Sequence, residues 1–194
     1  LNMTVNTQPA MLTASVALYQ AWLALGGKKP EVMAGHSLGE YSALTAAGVF
    51  ELADAVKLVR FRAKVMQEAV PVGKGGMAAI IGLSDEAVAK VCGNAAAEGV
   101  VEPVKLNEIS MKTPQIDVIA NVDVKVHHDK DAIVAALAAQ AAGAVQWVKT
   151  IQAFKEMGVT HIVECGPGRV LAGLIKRIDS SIVVKNINSQ DSLV

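Results

Sequence analysis

The chain has 194 residues, 52% of them hydrophobic and 19% charged, with 18 Lys and Arg against 18 Asp and Glu. So much apolar content with no net charge excludes an intrinsically disordered chain, and a pI near 7.1 argues against general binding of a phosphate backbone, which needs concentrated Lys and Arg. The length fits one domain with at most a small appended subdomain, and no apolar run approaches the ~18–20 residues that cross a bilayer.

In chain order, Gln8–Leu25 reads as an alanine- and leucine-rich helix opening after Thr7, with Pro9 in its first turn and Gly26-Gly27 as its stop. A short apolar run, Glu31–Ala34, leads through Gly35-His36-Ser37-Leu38-Gly39 into a helix ending near Ala47. Glu51–Ala69 is a longer helix with Leu52, Val56, Val59, Ala63 and Met66 on one face. Pro71 and the glycines of 73–76 end it. Met77–Gly82, Ser84–Ala97 and Val100–Val104 then read as strand, helix and strand.

Gln115–Val126 holds strand-like runs. Asp129–Gln140 and Gln146–Met157 read as helices, Thr160–Glu164 as a strand and Gly168–Ile178 as a helix. Strands alternating with helices imply an α/β fold with a mainly parallel sheet. Cys92 and Cys165 form neither a disulfide framework nor a CxxC pair, and no cleavable leader is written here, so a cytoplasmic setting is expected. Metal-ligand spacing, a phosphate-cradling loop and a dinucleotide GxGxxG are all missing from the sequence, so no metal or resident cofactor is expected.

Gly35-x-Ser37-x-Gly39 carries the chemistry. Between a strand and a helix, the motif forces a sharp turn that strains the Ser37 backbone and exposes its Oγ. The flanking glycines are expected to remove Cβ atoms that would collide across the turn. The helix that follows turns free N–H groups toward the same place, making the Leu38 N–H a candidate oxyanion donor. A serine at its own pKa needs a base. None of His36, His127, His128 and His161 has a compelling claim to be that base. His36 reads as a packing or orienting group, His127-His128 as a solvated turn, and His161 as structural. Asp123 and Glu164 are candidate acids. Arg60 and Arg62 flank the apolar stripe of the 51–69 helix, each able to reach water or a cleft.

Taken together, Thr7-Gln8-Pro9-Ala10, Ala34-Gly35-His36-Ser37-Leu38-Gly39-Glu40-Tyr41-Ser42-Ala43, Met66–Pro71, Gly76–Gly82, Asn121–Lys125, Val145-Gln146-Trp147 and Glu164–Gly168 closely resemble bacterial malonyl-CoA:acyl carrier protein transacylases, in the family's order. The resemblance implies a parallel-sheet, α/β-hydrolase-like core at 1–72 and 105–194, with part of a small ferredoxin-like subdomain at 73–104. It implies ping-pong transfer of malonyl from coenzyme A, through a malonyl-Ser37 intermediate, to the phosphopantetheine thiol of acyl carrier protein. In that scheme the Leu38 N–H serves the oxyanion. Arg62 grips the free carboxylate, Met66, Gln8 and His36 complete the substrate-binding set, and the Gln146 backbone carbonyl orients a histidine. An acidic carrier protein would meet a basic rim, with Lys57, Arg60, Lys64, Lys176 and Arg177 as contributors.

The chain departs from the pattern in three places. The family's GQGSQ turn, a source of a second oxyanion donor, would precede Leu1. The histidine of its P-S-H segment would fall between Val104 and Lys105, where the two sides join directly. Ala141–Ala144 replaces an aromatic residue and a proline. The expectation is a piece of a longer chain, slow in turnover as written. Two other readings use the same residues: an α/β-hydrolase esterase or thioesterase with His127, His128 or His161 as base, or a non-catalytic module that docks an acyl carrier.

Overall fold

The computed structural model describes residues 3–69 and 106–193. The strand-helix-strand expected at 77–104 lies outside them. Among the described residues, ten elements and a closing 3-10 turn follow in order: α1 (Thr4–Ala24), β1 (Val32–Ala34), α2 (Leu38–Ala46), α3 (Leu52–Ala69), β2 (Asp117–Ile119), α4 (Lys130–Ala142), α5 (Trp147–Glu156), β3 (His161–Cys165), α6 (Val170–Ile178), β4 (Val183–Ile187) and Gln190–Leu193.

Three helices end in the same way, for a reason written in the sequence. Gly26, Gly48 and Gly158 adopt φ near +80°, where a Cβ is costly. After α1, Gly27 N–H donates to the Trp22 carbonyl and Gly26 N–H to that of Leu23; the pairs Val49–Leu44 and Val159–Phe154 close α2 and α5 likewise. At the other end of a helix, the Asp129 carboxylate accepts the Ala132 N–H at 2.9 Å and caps α4.

α1 begins a turn earlier than Pro9 suggests. The Met3 carbonyl accepts from the Thr7 N–H and hydroxyl, and a proline so near the start forfeits only one early hydrogen bond. Leu52, expected on the buried stripe of α3, is 40% exposed as the helix's first residue. The stripe runs instead through Ala55, Leu58, Val59, Arg62 and Ala63. β4 has no counterpart among the expected strands. Of the strand-like 115–126 run only 117–119 is strand, because the chain turns back at Val124 and pairs again through Val126.

β1 and β2 pair in parallel, Val32 with Asp117 through Ala34 with Ile119, and β3 and β4 pair in parallel from His161–Val183 to Cys165–Ile187. One buried cluster joins Leu12, Val16 and Tyr19 of α1 to Tyr41, Leu44, Leu58 and Val59 of α2 and α3 and to Val118, Ile133 and Leu137. The other gathers Ile119, Trp147, Ile151, Phe154, Ile175 and Ile182. The β1–β2 pair therefore has helices packed on it from both clusters. Its carboxyl ends, where β1 runs into Gly35 and β2 into Ala120, are where an open α/β sheet places a site.

Truncating a fully buried side chain in this packing leaves a cavity. Leu12→Ala is expected to lower unfolding free energy by about 2–5 kcal/mol, and Val170→Ala, at 71% exposure, by under about 0.5 kcal/mol, in urea titrations.

Candidate active site

Ser37 sits between β1 and α2 at φ 53°, ψ −107°, one of two described non-glycine residues with positive φ. That is the strained turn the motif predicts. The glycines contribute unequally. A Cβ on Gly35 would lie 2.0 Å from the backbone of Gly39, so only glycine fits at 35, whereas a Cβ on Gly39 would meet nothing among the described residues. The expectation that both glycines relieve a collision is corrected to one.

Arg62 on α3 is 3% exposed. Its Nη2 donates to Ser37 Oγ at 2.9 Å and to Gln140 Oε1 at 3.1 Å, and its Nη1 donates to Gln8 Oε1 at 2.8 Å. The guanidinium lies 5.3 Å from the centre of the Tyr41 ring. Its partners among the described residues are all neutral. Arg62 Nε and Tyr41 Oη are buried with no hydrogen-bond partner there, and burial pushes the Tyr41 hydroxyl up to about 12. Gln8 Nε2 in turn donates to Thr4 Oγ1 and approaches Met66 Sδ at 3.6 Å. Four of the expected residues thus meet: Ser37, Arg62, Gln8 and Met66.

Leu38 opens α2. The N–H groups of Gly39 and Glu40 bond to His36 and Ser37 carbonyls, and the Leu38 N–H has no partner among the described residues. His36 turns its ring edge-on to Trp147, 5.6 Å between centroids, and makes no hydrogen bond to Ser37. Its outer face reaches solvent, yet the shielding of the ring lowers its pKa and favours the neutral form. The Gln146 carbonyl accepts from the Thr150 N–H and hydroxyl at the start of α5, while its own N–H donates to the Asn121 carbonyl at 2.9 Å.

Three further polar residues build the site, none singled out by the sequence reading. Gln140 Nε2 donates to Glu40 Oε2 at 2.6 Å and to the Ser37 carbonyl at 3.0 Å. Asn121 Oδ1 accepts the Ser37 N–H at 2.7 Å, and Asn121 Nδ2 donates to the Gly35 carbonyl at 2.7 Å. Glu40, 2% exposed, also accepts the Asn121 N–H at 3.1 Å. A signal for Gln140 existed: it follows Ile133 and Leu137 on the buried face of α4, where a lone amide needs partners. Glu40 reads from sequence only as a favourable acid in a helix's first turn.

The other candidates lie apart. His127 pairs with Asp123 at 3.0 Å, and His128 Nε2 lies 3.9 Å from Asp117. His161 contacts Thr160. The Glu164 carboxylate accepts the Leu171 and Ala172 N–H groups at the start of α6. Neither candidate acid hydrogen-bonds to Ser37. Among the described residues no group of three or more His, Cys, Asp or Glu gathers as a metal site, and no helix is long and apolar enough to cross a membrane. Lys57 and Lys64 pair with Asp54 and Glu68 on their own helix, and Arg60, Lys176 and Arg177 are exposed.

A strained serine after a strand, a helix N-terminus beside it and a buried cation on its hydroxyl form the arrangement that the GxSxG motif predicts, a candidate site for acyl transfer. Residues 1–153 match the acyl transferase domain family. The whole chain aligns with the malonyl CoA-acyl carrier protein transacylase of Escherichia coli K12, 41% identical over 248 residues and 80% of that protein. The matched span exceeds this chain's 194 residues, so at least 54 of its positions have no counterpart here. The solved transacylase of Coxiella burnetii is 37% identical with a TM-score of 0.91, over all of this chain and 78% of that one. A malonyl-transacylase solved in complex with a type II PKS acyl-carrier protein is 37% identical with a TM-score of 0.90, over all of this chain and 80% of that one. The chain belongs to the malonyl-CoA:acyl carrier protein transacylase family of acyltransferases.

Burial raises the Glu40 pKa against the pull of its hydrogen bonds from Gln140 and Asn121. The folded state then holds this proton to higher pH than the unfolded chain does, and stability attributable to Glu40 falls as pH rises through and above 4.5. In urea titrations from pH 4.5 to 7.5, Glu40→Gln should gain stability relative to the parent protein as pH rises. A difference that stays flat would contradict the raised pKa.

Proposed function

We propose that the chain accepts malonyl from malonyl-CoA on Ser37 and passes it to the phosphopantetheine thiol of an acyl carrier protein. Ser37 Oγ attacks the thioester carbonyl; the Oγ–C bond forms, the C–S bond breaks, and the serine proton leaves with the coenzyme A thiol. The second half repeats this in reverse with the carrier's thiol. The Leu38 N–H is the donor to the tetrahedral oxyanion. Coenzyme A enters as part of a substrate, and no resident cofactor is required.

The observation that carries this reading is Arg62. A buried guanidinium whose described partners are all neutral is costly, and a carboxylate delivered by the substrate supplies the missing charge in a geometry the planar fork matches. A simple esterase has no use for such a group. Met66 and Gln8 line the same acyl pocket, and His36 flanks it. The exposed Arg60, Lys176 and Arg177, with Lys57 and Lys64, are the basic side chains that an acidic carrier protein would meet. The described region lacks a histidine on Ser37, and loss of a general base costs ~10²–10⁴-fold. Turnover by this chain alone is therefore slow, while acylation of Ser37 is detectable.

Intact-mass spectrometry after mixing with malonyl-CoA should give one malonyl adduct, mapped to Ser37 and absent in Ser37→Ala. No adduct would leave only a docking module. Arg62→Ala should slow malonyl acylation by on the order of 10²–10³-fold, as removal of one partner of a buried charge pair does, and retain or raise acetylation by acetyl-CoA. An equal loss for both acyl groups would remove the carboxylate clamp from the reading. Brisk transfer to carrier protein by the 194-residue chain would overturn the expected slowness.

A further inference from the structure

The Ser37 conformation lies outside every regular element, so the peptide groups around it must be held from elsewhere. One side chain does this on both sides at once. Asn121 accepts the Ser37 N–H through Oδ1 and donates to the Gly35 carbonyl through Nδ2, each at 2.7 Å, closing a bridge over His36. The amide can sit only one way round. Flipped, it would set its NH2 against an N–H and its oxygen against a carbonyl.

Asn121 is itself fixed. It is 0% exposed, its N–H donates to Glu40 Oε2, and its carbonyl accepts the Gln146 N–H. The turn that presents it is strained too. After β2 the chain reverses through Ala120–Lys125, with hydrogen bonds from Ala120 N–H to the Lys125 carbonyl and from Val124 N–H to that of Ala120. Val124, at φ 57°, is the second described non-glycine residue with positive φ. The two strained turns face each other across the carboxyl ends of β1 and β2, and the Asn121 carboxamide joins them.

We infer that Asn121 is the positioning residue of the nucleophile: its carboxamide holds the turn that aims Ser37 Oγ at Arg62 and leaves the Leu38 N–H free. It touches no reacting atom and acts through the backbone on either side of His36. The inference rests on Ser37 being the acylated group.

The test compares the parent protein with Asn121→Ala and Asn121→Asp in single-turnover acylation of Ser37 by malonyl-CoA, read by quenched intact mass. Asn121→Ala should acylate ~10–100-fold more slowly at saturation, as expected for a nucleophile displaced by about an ångström. The half-saturating malonyl-CoA concentration should not change, because Arg62 keeps Gln8 and Gln140. In Asn121→Asp an ionised carboxylate accepts the Ser37 N–H but cannot donate to Gly35, whereas the protonated acid does both. Its rate relative to the parent should therefore climb several-fold from pH 8 to pH 5. The groups facing position 121 are Glu40 from α2, Asp123 and His127 from its own turn, and His36 and Arg62 beyond the elbow. All are common to both proteins, so the ratio isolates residue 121.

Parent-like acylation by Asn121→Ala, or a ratio for Asn121→Asp that ignores pH, would overturn the inference. Hydrogen exchange at the Ser37 amide needs no reaction and should be slow in the parent and faster in Asn121→Ala; equal exchange would also overturn it. If Asn121→Ala does not fold, Asn121→Asp carries both measurements. A parent protein that gains no malonyl adduct would instead overturn the function proposed for Ser37, and the exchange result would still decide the role of Asn121.

Discussion

The interaction on which the site depends is the buried Arg62 guanidinium held by three neutral oxygens. Taking such a cation out of water is costly, and two amide carbonyls and a hydroxyl recover only part of that cost. Each of those oxygens comes from a different part of the fold: Gln8 from α1, Ser37 from the end of β1, Gln140 from α4. The helices can therefore pack as they do only if these three side chains converge on α3. Placing the cation also places Ser37 Oγ.

Around that cation the polar groups form a chain with a fixed direction. Arg62 can only donate, so Gln140 must offer Oε1 to it, which turns Gln140 Nε2 toward Glu40 and the Ser37 carbonyl. Glu40 Oε2 then receives two N–H donors, from Gln140 and from the Asn121 backbone. No amide in this network can flip without setting like against like. Low local dielectric makes each bond stronger and each error dearer, so a network that is nearly complete holds one arrangement.

Legibility in the sequence followed the range of the physics. Glycine-terminated helices, the Asp129 cap and the strand-turn-helix around Ser37 are short-range, and they were readable from a few adjacent residues. Gly35 is needed because Gly39 comes within 2.0 Å of where its Cβ would be, a contact only four residues apart. Arg62 was ambiguous, since local spacing put it at the edge of a stripe whose true register, set by Leu58 and Val59, centres nearer to it. Burial of Arg62 answers what periodicity leaves open, water or cleft. Asn121 and Gln140 contact the elbow across 84 and 103 residues, and no local pattern encodes such a meeting. β2 was overextended for the same reason: alternation in Val122, Val124 and Val126 reads as strand, and the reversal at Val124 answers to where Asn121 must sit.

The geometry also separates two demands that a serine nucleophile places on a protein. Aim is a matter of backbone, supplied here by Gly35, the strained Ser37 turn and the groups that grip it, all within the described residues. Activation is a matter of proton transfer, and no described imidazole reaches Ser37 Oγ, since His36 turns to Trp147 and His127 to Asp123. Arg62 cannot fill that role, because a guanidinium stays protonated and only donates. It can stabilise negative charge that develops on Oγ, up to the point where a carboxylate claims it. In the proposed reaction the same cation would face two anions in turn, the oxygen that attacks and the acid group that selects. A substrate bearing its own carboxylate would release Ser37 Oγ from Arg62 as it docks, and a substrate without one would meet a serine with one of its two lone pairs still held by the guanidinium.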